Sequence, residues 1–462
     1  METYILNTPF GVGIDLSLWA DFFSSPPERI FMGVFAVLLW WMLVYFLFRK
    51  ILKVWLKEKQ AQFTKDWQWV ILAVDVPPAL IQSPKAVEQI FVHLSGAFSK
   101  INVFDKYMKG KSQEWFSFEI ISIEGYIQFV VRTELKFRDL VEAAIYAQYT
   151  GAEITEVEDY ADRIPDKFPN EEFDFTGVEF NLANHHAYPI HTHPHFEYSS
   201  SLDKEGAFID PMAAVLENFT RIGPGENFWM QLVVSPSDNS WKQEGIDLVK
   251  EIIEGKKKAS KGSIANKVAG LPMMALNATV QAWNMDSASS ESVIKKEPVV
   301  GKVSDLTPGK RQVVEAVEEK ISKFGFHSRL RIIYTAKKNV FNPQKCLYGF
   351  VGAMNQFYTA DKNSLVPDYI KPTYLSKDEK FIAAFKKRSF KFKTAPYILN
   401  IEELATLWHF PMPSVKTPLL QKSSLKKGEP PINLPMDTPD NFFEEISHNP
   451  LTVVEEEKLP YA

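Results

Sequence analysis

Apolar positions follow three different patterns along the chain. Residues 30–48, IFMGVFAVLLWWMLVYFLF, are apolar on every side and carry no polar group beyond Tyr45. As a helix these nineteen residues extend about 28 Å, the thickness of a bilayer's hydrocarbon core. The stretch from Ile30 to Phe48 is therefore expected to be a transmembrane helix, with Trp40 and Trp41 as rings that tolerate the interface. Only Arg29 precedes it, whereas Arg49, Lys50, Lys53, Lys57 and Lys59 follow. The positive-inside rule then places residues 1–29 outside and the rest of the chain in the cytoplasm, a single-pass arrangement expected in the cell inner membrane. A secretory leader would need a basic start and a small-residue cleavage site, and neither is present. Residues 49–66 read as a basic juxtamembrane helix or linker.

From residue 67 strand and helix periods alternate. WQWVILAVDVP (67–77) reads as a buried strand stopped by Pro77 and Pro78. Ser83-Pro84 open a helix with Val87, Ile90, Phe91 and Leu94 on one stripe. Two alternating runs, 115–123 and 126–133, flank Glu124-Gly125 as a hairpin. A helix at 136–149 and a strand at 152–160 complete the order βαββαβ, which predicts a ferredoxin-like module over 67–165. The order recurs over 175–395. A strand at 177–190, a helix opened by Asp210-Pro211 and a strand at 228–236 come first. After an insertion over 237–306, a helix from Thr307-Pro308, a strand at 326–336, a helix at 344–358 and a weak strand within 364–374 follow. The expected fold class is α+β: one transmembrane helix, then two tandem ferredoxin-like modules, the second with a long insertion. Residues 396–462 read as a short helix (400–410), a proline-rich extended segment and an acidic tail.

Composition narrows the function. Hydrophobic residues make up 45 % of the 462, so the body after the anchor is globular. The net charge of −5 argues against a protein that coats nucleic acid, and any such contact would need a local patch. The single cysteine, Cys346, excludes disulfides and cysteine metal sites and fits a reducing compartment. Residues 1–28 either lie in the outer interface through Ile14, Leu16, Leu18, Trp19, Phe22 and Phe23 or form a plain tail.

Nucleotide chemistry finds no home in the motifs. Gly110-Lys111-Ser112 lacks the earlier glycine of a phosphate-binding loop, since position 105 is Asp; Thr307-Pro308-Gly309-Lys310 lacks the hydroxyl residue after its lysine. GPGENF (223–228) has the wrong glycine spacing for a dinucleotide fold. Five of nine histidines fall within 185–195. On a strand His191, His193 and His195 would share a face and make a candidate metal site, but Pro194 disturbs a regular strand and a polar loop or a pH-sensing cluster fits the same residues. Lysines 256, 257, 258 and 261 suit either anionic phosphate or ordinary solvent. No cofactor is expected.

Longer phrases resemble a known family. WFSFEIISIEGYIQFVVRT (115–133), KFRDLVEAAIYAQYTGAEITEVEDY (136–160), DPMAAVLENFTRIGPGENFWMQLVVSP (210–236), KISKFGFHSRLRIIYTA (320–336), MNQFYTADKN (354–363), NIEELATLWHFP (400–411) and EPPINLP (429–435) carry the likeness. Together they resemble the membrane-anchored N-terminal region of type IV secretion coupling-protein-like ATPases, of the FtsK/HerA class, in candidate-phyla bacteria. The resemblance implies a setting in DNA or protein translocation, in which an ATPase domain ordinarily follows the EPPINLP-like segment. Here 27 residues follow it, so the motor is expected on a separate polypeptide and none of the family's ATP-binding residues is carried over. Within the motifs Asp210, Pro211, Gly225, Glu226, Gln231 and Pro236 are expected to shape the fold. Pro418, Pro430, Pro431 and Pro435 are expected to lie in a partner-docking segment.

The expectation is a non-catalytic scaffold that docks a P-loop ATPase at the membrane. Its expected partners are the lipid bilayer, that ATPase and further copies of the chain, with direct nucleic-acid contact left open. The alternatives are an envelope structural or sensory protein, or a metal-dependent enzyme using His185 to His195.

Overall fold

The computed structural model describes residues 5–7, 13–15, 26–77, 80–168, 170–198, 207–254, 306–370, 377–390 and 395–412. All of them fall in the compact unit Met1–Lys422. Several expectations lie outside the described residues: most of the N-terminal segment, the lysines of 255–305, Pro418, Pro430, Pro431, Pro435 and the acidic tail.

The apolar run is part of a longer helix, α1, Pro27–Thr64. Pro27 sits in its first turn, where a missing N–H costs nothing. At 1.5 Å per residue, α1 is about 57 Å long and reaches well past one hydrocarbon core. Its basic part is thus helix rather than linker. Phe63, Trp67, Trp69 and Trp115 form a chain of ring contacts, with centroids 4.9–5.9 Å apart, where α1 gives way to the first strand.

That strand is β1 (Trp69–Asp75), followed by α2 (Pro84–Leu94), β2 (Phe116–Ile123), β3 (Tyr126–Glu134), α3 (Arg138–Tyr146) and β4 (Glu153–Val157). The second half contains β5 (Phe173–Leu182), α4 (Pro211–Thr220), β6 (Glu226–Pro236), α5 (Ser240–Glu254), α6 (Pro308–Ser322), β7 (Gly325–Lys337), α7 (Leu347–Met354) and β8 (Leu365–Ile370). Next come α8 (Lys377–Lys386), β9 (Tyr397–Asn400) and α9 (Ile401–Leu407). Two further pairs, Ile5–Asn7 with Gly13–Asp15 and Glu197–Tyr198 with Ala207–Phe208, stand apart.

Nine strands make one antiparallel sheet in the order β8-β5-β7-β6-β2-β3-β1-β4, with β9 also on β7. Each half repeats one arrangement: its first strand lies between the third and fourth, and its third between the first and second. The two halves meet through β6 and β2, which pair from Asn227↔Ile123 to Val234↔Phe116. β6 therefore lies mid-sheet and is buried along its whole length, as ENFWMQLVVSP requires.

The sheet is covered on both faces. Phe118, Ile120, Met230, Leu232, Leu330 and Ile332 point to a first core under α2, α3, α4, α7 and α9. Ile121, Val130, Trp229 and Ile333 point to a second core under α8 and residues 160–168. A third cluster joins α5 to α6 through Leu248, Val249, Val313, Val314 and Val317. Residues 397–410 behave differently from a tail. After β9 pairs with β7, α9 is buried throughout, and Trp408 meets Phe118 and Phe129 of the first half edge to face at 4.9 and 5.6 Å.

Candidate functional site

Three groups of residues carry candidate function: the exposed helix, the histidine-rich segment and a charged row inside the sheet.

In α1 the side chains of the apolar run face outward. Trp40 is 64 % exposed, Trp41 66 % and Phe48 56 %, values that in water would leave a large apolar surface unpaid for. The segment Phe31–Thr64 is long and apolar enough to cross a membrane. Ile30 lies in α1 one residue ahead of it. Arg49 donates to the Tyr45 hydroxyl at 3.2 Å, and Lys50 is exposed beside it. The basic end of α1 leans on the loop before β2. Trp55 Nε1 donates to the Tyr107 carbonyl at 3.2 Å. Gly110 has φ +71°, and a Cβ there would stand 2.2 Å from the Lys59 carbonyl oxygen. Only glycine permits that approach of the loop to α1.

The structure leaves His191 beside His195, with ring centroids 5.3 Å apart, but does not bring His193 to them. His193 to Phe196 form a single 3-10 turn rather than a strand, because Pro194 cannot donate to a ladder. His193 turns inward: its Nδ1 lies 3.2 Å from Thr406 Oγ1 and its Nε2 3.3 Å from Glu88 Oε1. His191 lies against Phe196 at 4.7 Å, with Nδ1 3.2 Å from the Gln356 carbonyl. His195 Nδ1 lies 3.2 Å from Thr192 Oγ1. Among the described residues, the group with metal-ligand spacing is His185, His186 and Glu244 instead.

Burial holds the His193 imidazole down to about 4, against an ordinary value of 6.5. An unfolded chain therefore binds one more proton than the folded one between those values, and stability falls as pH drops from 6.5 toward 4. His193→Gln is expected to remove about one proton from that slope. Urea unfolding measured at steps across the window checks it; an unchanged slope refutes the assignment.

The structural-motif residues converge on turns and strand junctions. Asp210 caps α4, accepting from the Met212 amide at 2.7 Å, with Pro211 next in line. The same carboxylate accepts from His409 Nε2 at 2.9 Å and from the Met412 amide at 2.7 Å. Burial alone would raise its pKa, but these donors hold it below the usual carboxylate range. Gly225 takes φ +77° in the turn before β6. Glu226 accepts from the Tyr334 hydroxyl, Lys345 Nζ and the Gly223 amide, each at 2.7 Å. Pro236 closes β6 opposite Phe326.

Gln231 opens onto the feature that sequence reading missed. On the second face of the sheet Glu119, Gln231, Arg331 and Glu179 stand in register on β2, β6, β7 and β5. All four are 0 % exposed. Gln231 Nε2 donates to Glu119 Oε1 at 3.2 Å and to the Phe385 carbonyl at 3.1 Å. Arg331 Nε donates to Glu179 Oε1 at 3.1 Å, and Arg329 pairs with the same carboxylate. Arg388, just past α8, locks the row. Its Nε donates to Glu119 Oε1 at 3.0 Å, and its Nη1 and Nη2 reach Asp159 at 2.5 and 2.9 Å. A fork of this kind joins a residue just past α8, in the second half, to a carboxylate at the end of the first. The available signal was a polar or charged residue inside otherwise apolar strands, as in FSFEIISI, FWMQLVV and GVEFNL, at positions that alternation alone assigns to one face.

These charges pair with one another, so the row can align strands, although Glu179 Oε2 and Gln231 Oε1 make no hydrogen bond among the described residues. A comparison with curated proteins returned no match. Residues 94–423 match the model of a family described as a domain of unknown function, DUF8128, a span that contains β2 to α9 and the whole charged row. The chain belongs to that DUF8128 family.

Proposed function

We propose that this protein is a non-catalytic, membrane-anchored scaffold that holds a separate P-loop ATPase at the inner face of the cell inner membrane, in a type IV secretion-like system exporting DNA or protein. The observation that carries this reading is α1: an exposed apolar segment that continues as one helix into a basic part seated against Tyr107 and Gly110. A body held so closely to its anchor suits a positional role. The residue-level resemblance of 115–133, 136–160 and 210–236 to coupling-protein N-terminal regions supports the translocation setting.

In this reading the two halves are ferredoxin-like modules. The βαββαβ order of each half and its repeated strand arrangement support that description. Copies of the chain would assemble around the motor. The segment containing Pro418, Pro430, Pro431 and Pro435 would be the part that docks the ATPase.

Photo-crosslinking from residues 418–435 in intact membranes tests the docking step. Crosslinks to a P-loop ATPase are expected, and replacing those four prolines by serine should cut the yield at least tenfold. Equal recovery with the prolines replaced would show that the motor, if bound, docks elsewhere.

A further inference from the structure

The loop after β5 sets two histidines side by side and α5 brings a carboxylate to both. Asn363 holds the loop: its Nδ2 donates to the carbonyls of His185 and Tyr188 at 3.1 and 3.0 Å. The His185 and His186 rings stack with centroids 4.3 Å apart. Ala187, the next residue, packs into the cluster formed by Leu248 and Val249 of α5 with Val313, Val314 and Val317 of α6. That packing fixes Glu244 opposite the rings. Its Oε2 lies 3.3 Å from His185 Nε2 and 3.4 Å from His186 Nε2, and the three donor atoms all fall within 4.8 Å of one another.

Both distances are long for a charge-assisted pair. A charge-assisted N–H to carboxylate bond is about 2.7–2.9 Å long. Two donors at about 2.0–2.2 Å from one tetrahedral zinc stand roughly 3.3–3.6 Å apart, the separation of each histidine from Glu244 here. His186 Nε2 is the second observation. It is buried and has no hydrogen-bond partner among the described residues, although the carboxylate lies 3.4 Å away. A ring nitrogen this close to a carboxylate without a hydrogen bond to it leaves room for a cation between them.

We propose that His185, His186 and Glu244 bind a divalent cation of the zinc class, with water in the fourth position, and so tie the β5 loop to α5 where the insertion leaves the body. Two imidazole nitrogens and one carboxylate oxygen suit Zn²⁺ over calcium or magnesium, which favour all-oxygen shells. Metal at His185 Nε2 moves that ring's proton to Nδ1 and gives up a 3.3 Å bond from the Ala187 amide. His186 has no such bond to lose, so it is expected to contribute more affinity. The site is separate from His191, His193 and His195, whose partners are described above.

Full-length protein, stripped of metal in detergent, tests the site by titration with Zn²⁺ against a chromophoric chelator and with Co²⁺ read by its visible absorption. One equivalent of Zn²⁺ per chain and a tetrahedral Co²⁺ band are expected. Glu244 is 55 % exposed, so Glu244→Gln keeps the fold, checked by circular dichroism, and should weaken binding at least tenfold. His186→Ala should weaken it at least as much, while His195→Ala leaves it unchanged. Substoichiometric binding in the unaltered protein, or equal affinity in Glu244→Gln, overturns the proposal.

Discussion

Replacing Arg388 by methionine is expected to cost about 3–5 kcal/mol of stability, the range for leaving a buried charge without its partner. Glu119 is 0 % exposed, and its Oε1 takes bonds from Arg388 Nε and Gln231 Nε2. Without the guanidinium its charge would sit beneath Tyr160 and Trp229 in an apolar core, where it must either stay unpaired or take up a proton. Asp159 is half freed by comparison, because its side chain is 29 % exposed and can hydrate. The backbone at Arg388 has φ +49°, a strain any non-glycine residue shares, so it cancels in the comparison with methionine. Glu119→Gln together with Arg388→Met should recover most of the loss, since an amide is much less costly to bury than a carboxylate. Urea unfolding of the two single variants and the double variant measures the coupling. A surface pair such as Arg138–Glu142 offers the contrast: breaking it should cost roughly 0.3–0.5 kcal/mol. If Arg388→Met costs no more than that, the charged row does not hold the halves together.

The second large effect concerns the anchor. Exchanging residues 30–48 for a polar linker is expected to move essentially all of the protein from the membrane fraction to the supernatant, with its near-ultraviolet circular dichroism retained. The twelve Ile, Leu, Val and Phe residues of that stretch contribute on the order of 4–7 kcal/mol toward insertion, at roughly 0.3–0.6 kcal/mol each. None of that surface is buried against the body, so the body loses no core when it is removed. Flotation on a density gradient after a carbonate wash is the measurement. Protein that still floats would mean that another surface holds the membrane; the exposed Val103, Phe104 and Met108 beside α1 are then the first to alter.

Local pattern carried the elements because each depends on residues near one another in the chain. The run at 30–48, the Glu124-Gly125 hairpin and the Asp210-Pro211 helix start are legible in this way. Boundaries moved where a single residue overrode a period. Pro194 already argued against a regular strand at the histidines, and the segment is a 3-10 turn in which His193 turns from His191 and His195 to Thr406. α1 outlasted its apolar run because lysine and glutamine form helix as readily as leucine.

What the sequence by itself determined about this protein is an exposed apolar helix and a βαββαβ order of elements occurring twice. The tertiary structure alone decided that the two sets share one sheet. That outcome rests on pairing between residues more than a hundred positions apart, such as Gln231 with Glu119, and no local period encodes such a register. It also decided which charges meet. Glu179, Arg331 and Arg388 read as separate polar interruptions until antiparallel register and burial place them together, where low dielectric makes their mutual bonds obligatory.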